Sequence, residues 1–260
     1  MRLLSFHPMQ IFVLIMSKIK AFKDNFKTIV LAGLFAIVFR TFLYEPFNIP
    51  SGSMMPNLLV GDYLFVSKFS YGFSKFSFPF GLPIIPERIF FTSPKAGDVV
   101  VFRLPIDNKT DYIKRIVGLP GDTVSLKNGI LHINGSAVDR KKVGKRTFDR
   151  IVDGKIYKEI SFLYIETLPN RRSYEIIERS DNEILDETKE FIVPADHYFA
   201  LGDNRDNSND SRRIVGFIPS ENLIGKAQII FYSHSGKAKI WEIWKWPITV
   251  RYMRLWKSII

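Results

Sequence analysis

The stretch from Thr28 to Tyr44 sets the first limit on this chain: seventeen residues, apolar except for Arg40 and the two threonines Thr28 and Thr41. Because it is apolar all round rather than along one stripe, it has no polar face to turn to water. Its length is the minimum for a bilayer-spanning helix, with Arg40 snorkelling to the far interface. Lys18, Lys20, Lys23 and Lys27 precede it, so the positive-inside rule assigns residues 1–27 to the cytoplasm and everything after 45 to the opposite side. Two alternatives compete. A cleaved signal peptide also joins a basic region to a short apolar one, but Arg40 to Tyr44 lacks the small residues of a cleavage site. A buried core helix is the other. The uncleaved, single-pass anchor is favoured, and Ile11 to Met16 is too brief to add a second span.

The remainder must supply one good-sized domain or two small ones, and a hydrophobic content of 46% over 260 residues supports a real core. Cysteine is absent, which removes disulfides, thiol nucleophiles and Cys-based zinc sites and leaves His7, His132, His197 and His234 as the imidazoles. No metal or cofactor is expected. The net charge of +11 is scattered in local clusters and no helix-turn-helix, zinc-finger or aromatic RNA-binding pattern accompanies it, so nucleic acid is not an expected partner.

From Asp62 onward the pattern is β. Tyr63 to Val66, Val99 to Phe102, Tyr112 to Val117, Glu190 to Val193, His197 to Leu201 and Leu223 to Tyr232 are apolar runs bounded by Gly, Pro and Asp. Asn128-Gly129 between Val124 to Leu126 and Ile130 to Ile133 predicts a hairpin with a type I′ turn. Short strands at this spacing predict a mainly β, antiparallel barrel or sandwich-type domain over 45–260. Residues 140–189 differ in composition and read as a variable insertion or small subdomain. Two stretches are open to a membrane or a packing role: the Phe-rich Phe69 to Phe91, and the tail holding Trp241, Trp244, Trp246 and Trp256 among Lys245, Arg251, Arg254 and Lys257.

Three polar stretches could carry chemistry. Pro50-Ser51-Gly52-Ser53-Met54-Met55-Pro56 holds two hydroxyls two residues apart between prolines, so one serine can be a nucleophile and the other a hydrogen-bond donor; the simpler alternative is a turn. No histidine lies in a serine-hydrolase signature and no Gly-x-Ser-x-Gly elbow occurs. The other base for serine is a lysine kept neutral by burial. In Asp111-Tyr112-Ile113-Lys114-Arg115-Ile116-Val117, strand alternation sends Lys114 and Arg115 to opposite faces, so one can be buried while the other meets solvent or an acid. Gly202 to Arg212 has no apolar side chain; it fits no frame of a calcium loop, and its interleaved acids and arginines suggest an ion-paired loop able to place Ser208 beside a lysine.

In that order, these three stretches, with Gly61-Asp62 and Asp111 to Asp122, resemble the bacterial type I signal peptidases, membrane-anchored Ser/Lys proteases. The resemblance implies that Ser53 attacks the scissile carbonyl, that Lys114 is the general base, and that the Ser51 hydroxyl and Ser53 N–H form the oxyanion hole. Ser208 holds the Lys114 amine; Asp203, Arg205, Asp210 and Arg212 support their loop; Arg115 is structural. Phe47, Ile49, Pro50, Leu58, Tyr112 and Ile113 are implied to line shallow pockets for small residues at the −1 and −3 positions of a secretory signal peptide. The implied setting is the bacterial inner membrane, the implied partners are signal-peptide-bearing preproteins and the lipid bilayer, and a monomer is expected. Ser53 lies nine residues beyond Tyr44, so an extended link reaches only about 30 Å, which keeps the site near the membrane. Many members have two spans before the serine; this chain offers one. A membrane-anchored binding protein with an inactive peptidase fold is the rival, and a penicillin-binding type finds its Ser-x-x-Lys only at Ser17 to Lys20.

Overall fold

The computed structural model describes residues 8–78, 85–152, 155–235 and 242–260. A single helix, α1 (Pro8–Phe42), opens it. Pro8 suits a first helical turn and no further Pro or Gly intervenes before Gly33, so the helix begins twenty residues ahead of the apolar stretch. It also stops sooner, because Tyr44 already pairs with Ser67 as the first residue of strand β1 (Tyr44–Asn48). Every side chain from Ala21 to Val38 is exposed, which rules out the buried core helix.

Antiparallel strands follow: β2 (Asp62–Ser67), β3 (Val99–Arg103), β4 (Asp111–Gly118), β5 (Thr123–Lys127), β6 (Ile130–Ile133) and β7 (Ser136–Ala137). After them come β8 (Asp139–Val152), β9 (Lys155–Thr167), β10 (Ser173–Glu178), β11 (Phe191–Ile192), β12 (His197–Leu201), β13 (Ile218–Pro219), β14 (Leu223–Ser233) and β15 (Lys257–Ser258). The main sheet runs β1-β2-β14-β3-β4-β12-β13, with β15 paired on β14; β11-β5-β6-β7 and β10-β9-β8 form two smaller sheets. The class is the mainly antiparallel β expected. Asn128 and Gly129 take the left-handed conformation that joins β5 to β6, as the Asn-Gly pair predicts.

Continuous apolar runs arise where both faces of the main sheet are covered. In β3, Val99 and Val101 enter a core with Ile49, Met54, Leu58, Leu64, Val66 and Ile224, while Val100 and Phe102 enter another with Ile116, Tyr198 and Leu223. A third core joins β5 and β6 to Tyr164, Leu168, Tyr174 and Ile176 of the 140–189 region. That region is a long hairpin whose base is part of the body of the protein. Within the expectations above, residues 1–7, residues 79–84 of the Phe-rich stretch, 153–154 of the hairpin, and Trp241 lie outside the described residues.

Candidate active site

The loop after β1 folds on itself, with Met55 N–H donating to the Gly52 carbonyl and Leu58 N–H to that of Met54, at 3.1 and 2.9 Å. Met54 and Leu58 are fully buried and anchor it from beneath, leaving Ser51 exposed and Ser53 at 9% exposure. The Ser51 and Ser53 hydroxyls lie 3.4 Å apart. The loop is tied from above as well: Asn204 N–H donates to the Ser53 carbonyl at 3.0 Å and the Asn204 amide to the Gly52 carbonyl at 3.1 Å.

Strand β4 delivers the lysine. Tyr112 and Ile116 pack into one core and Ile113 into the other, so Lys114 and Arg115 leave on opposite faces. Both are buried, and of the two alternatives open to the second residue, solvent or an acid, Arg115 takes the acid. Lys114 Nζ lies 2.8 Å from Ser53 Oγ and donates to the Ile113 carbonyl at 2.8 Å. Burial lowers its pKa from 10.5 to about 8, against the pull of the Asp210 and Asp203 carboxylates, which favour the ammonium. Arg115 instead grips Asp203 through two parallel bonds of 2.8 Å and stacks on the Tyr174 ring.

The loop 202–212 is ion-paired, though half of the pairing leaves it. Arg212 binds Asp210 twice, at 3.0 and 2.8 Å, and donates to the Arg205 carbonyl. Burial alone raises the Asp210 pKa, but Arg212 and the Gly202 N–H hold it below the usual carboxylate value. Asp203 turns to Arg115, and Arg205 reaches Glu166 of β9 at 2.5 Å, where Tyr174 hydroxyl also donates. Glu166 has no motif around it in the sequence; it is an ordinary acid in a charged segment, and only the packing of the hairpin base brings it here. Ser208 lines the same cavity as Ser53 and Lys114, yet its hydroxyl is buried without a hydrogen bond to the lysine or to any other group. A Cβ at Gly202 would sit 2.2 Å from the Ser208 hydroxyl and 2.6 Å from the Ser53 carbonyl, so only glycine fits between them.

A cavity of about 450 Å³ opens over this pair, lined by Pro50, Ser51, Ser53, Tyr112, Ile113, Lys114 and Ser208 among others. Pro50, Tyr112 and Ile113 are thus in the expected groove. Ile49 and Leu58 are not among its lining residues: they are buried in the core below, and Phe47 packs against that core and lines a second, polar cavity with Glu45, Lys68 and Asp111. Among the described residues no cluster of His, Asp and Glu is arranged to hold a metal ion.

A buried hydroxyl and amine within hydrogen-bond distance beneath a cleft define a serine hydrolase type of centre, and comparison with known proteins gives the family. Residues 22–232 match the family model described as signal peptidase, peptidase S26. The chain is 38% identical over 259 residues to a signal peptidase I of Rickettsia typhi, covering 92% of this chain and 95% of that one. It is 43% identical over 206 residues to a signal peptidase I of Rickettsia akari, covering 76% and 75%. A crystal structure of a signal peptidase I from Enterococcus faecalis aligns at 26% identity over 52% of this chain and 97% of that one, with a TM-score of 0.30, too low to carry an argument. The chain belongs to the S26 family of signal peptidases, which are serine peptidases.

Proposed function

We propose that the protein is a membrane-anchored endopeptidase that removes N-terminal signal peptides from preproteins, using Ser53 as nucleophile and Lys114 as general base. The observation that carries this is the 2.8 Å separation of Lys114 Nζ from Ser53 Oγ in a site that lowers the lysine pKa to about 8. The neutral amine takes the hydroxyl proton as Ser53 Oγ attacks the scissile carbonyl. Its remaining bond to the Ile113 carbonyl fixes the direction of the lone pair. The Ser51 hydroxyl, 3.4 Å from the nucleophile, and the Ser53 N–H stabilise the oxyanion. The ammonium then protonates the leaving amine, and a water activated by the regenerated amine releases the acyl group.

The unpartnered Ser208 hydroxyl, which lines the same cavity, steadies the lysine amine, and Asp203, Arg205, Asp210 and Arg212 hold the loop that carries it. The substrate binds as an extended segment. Among the described residues, Asp111 to Lys114 of β4 pair with β3 but have no partner on the β12 side, so a free strand edge borders the cavity they line. Pro50, Tyr112 and Ile113 bound pockets that accept only Ala-sized groups at the −1 and −3 positions. Helix α1 has the length and composition of a membrane span over Met16–Phe42; its lysine-free part from Thr28 onward anchors the enzyme, with residues 1–27 inside and the catalytic domain from 45 onward on the far side of the inner membrane. Incubation of the purified full-length protein with a preprotein, followed by mass spectrometry of both products, tests the reading: one cut after a small-x-small triplet is expected, and no cut or cuts elsewhere would refute it.

A further inference from the structure

We infer that the C-terminal segment 254–260 is a positioning clamp that sets the distance between Ser53 and Lys114, an inference that rests on reading those two residues as the catalytic pair. Four contacts and the tail itself form a closed ring. Arg254 donates to the Asn57 carbonyl at 2.7 Å, and the Asn57 amide donates to Asp203 Oδ2 at 2.7 Å. Asp203 is held by Arg115, and Arg115 Nη1 donates to the main-chain oxygen of Ile260 at 2.6 Å. The path back to Arg254 is the tail, itself fixed to β14 by the pairing of Lys257 and Ser258 with Ile230 and Ile229 and by Ile259 N–H on the Gln228 carbonyl. Arg254 has a second grip on the buried Asp62 carboxylate, which caps the same loop by accepting from Leu59 N–H at 2.8 Å.

The ring touches both halves of the pair without including either. Asn57 lies four residues beyond Ser53 in a loop braced by its own hydrogen bonds, so a shift at Asn57 is passed to the nucleophile. Arg115 follows Lys114 in a buried strand, so a shift there moves the base. The ring also keeps the Asp203 carboxylate occupied; released from Arg115, that charge acts more strongly on the Lys114 ammonium.

The test compares Arg254→Gln and Asn57→Ala, which cut the ring at two different links, with Arg251→Ala. Arg251 precedes the tail, bonds to Val60 and Ser233, and approaches only the Asp62 carboxylate, at 3.8 Å, which is not one of the four links of the ring. Near-UV circular dichroism checks the fold of each variant. Cutting the ring is expected to lower kcat by about tenfold to a hundredfold with KM nearly unchanged, and to move the acid limb of the rate profile to higher pH. Arg251→Ala is expected to keep the wild-type kcat and profile. The inference is overturned if folded Arg254→Gln and Asn57→Ala keep the wild-type kcat and acid limb, or if Arg251→Ala is as damaging as they are. Should Arg254→Gln fail to fold, Asn57→Ala, at a half-buried position, decides alone. Titration of Lys114 followed by carbon NMR at its Cε needs no substrate. An upward shift of that midpoint in the ring variants supports the clamp and an unchanged midpoint refutes it, even if the wild type proves not to cleave preproteins.

Discussion

As the proposed general base, Lys114 makes the pH dependence of the reaction calculable. Its pKa is lowered from 10.5 to about 8 by burial, and only the neutral amine can accept the Ser53 proton. The lysine is then about half neutral at pH 8 and about one-tenth neutral at pH 7, so kcat/KM falls roughly tenfold for each pH unit below the midpoint. A stability effect follows from the same shift. The unfolded chain holds the lysine proton up to the ordinary 10.5, whereas the folded one releases it at about 8. Below about 8 the folded state therefore carries the full cost of a buried ammonium, roughly 3 kcal/mol, which fades as pH rises from about 8 to 10.5. Lys114→Met removes the charge while filling similar space. It is expected to be inactive and more stable than wild type at pH 7, by up to about 3 kcal/mol less the lost hydrogen bonds, with the advantage vanishing above pH 10.5. Urea unfolding of both proteins between pH 7 and pH 10.5, alongside initial cleavage rates from pH 6 to pH 10, measures both effects. A rate profile flat from pH 10 down to pH 6, or a stability difference that does not shrink with rising pH, would refute the assignment of a buried, depressed lysine.

Other expectations follow from the same geometry. Asp203→Ala leaves the Arg115 guanidinium buried without its carboxylate partner, and should cost about 3–5 kcal/mol in chemical denaturation. Gly202→Ala forces a methyl against the Ser208 hydroxyl and the Ser53 carbonyl, so activity should drop even where circular dichroism shows a folded protein. Ser51→Ala removes one oxyanion donor and should lower kcat by about a hundredfold to a thousandfold with little change in KM, read from steady-state cleavage. Deleting residues 1–42 should abolish co-flotation of the protein with lipid vesicles.

Much of this molecule could be read from local pattern, and what escaped depends on tertiary packing. Strand alternation alone predicted that Lys114 and Arg115 face opposite ways, and Asn128-Gly129 marked its hairpin, because both are properties of neighbouring residues. The start of α1 was missed because Lys18, Lys20, Lys23 and Lys27 separate the short apolar run Ile11 to Met16 from the stretch that begins at Thr28, though nothing in them stops a helix. Ile49 and Leu58 were expected in the groove and instead lie in the core, since an apolar residue beside a cleft and one beneath it look alike in sequence. Glu166, the partner of Arg205, and Asn57, the link between Arg254 and Asp203, sit in segments without a motif; their partners are distant in sequence and meet them only once the sheets have packed.

In the proposed mechanism Ser53 and Lys114 act together, and neither works without the other. Purified wild type, Ser53→Ala and Lys114→Ala, each shown to be folded, should be compared on one preprotein at pH 9, where the lysine is mostly neutral. Cleavage by the wild type and none above background by either variant is the expected result of that mechanism. A folded Lys114→Ala protein that cleaves at the wild-type rate would contradict it.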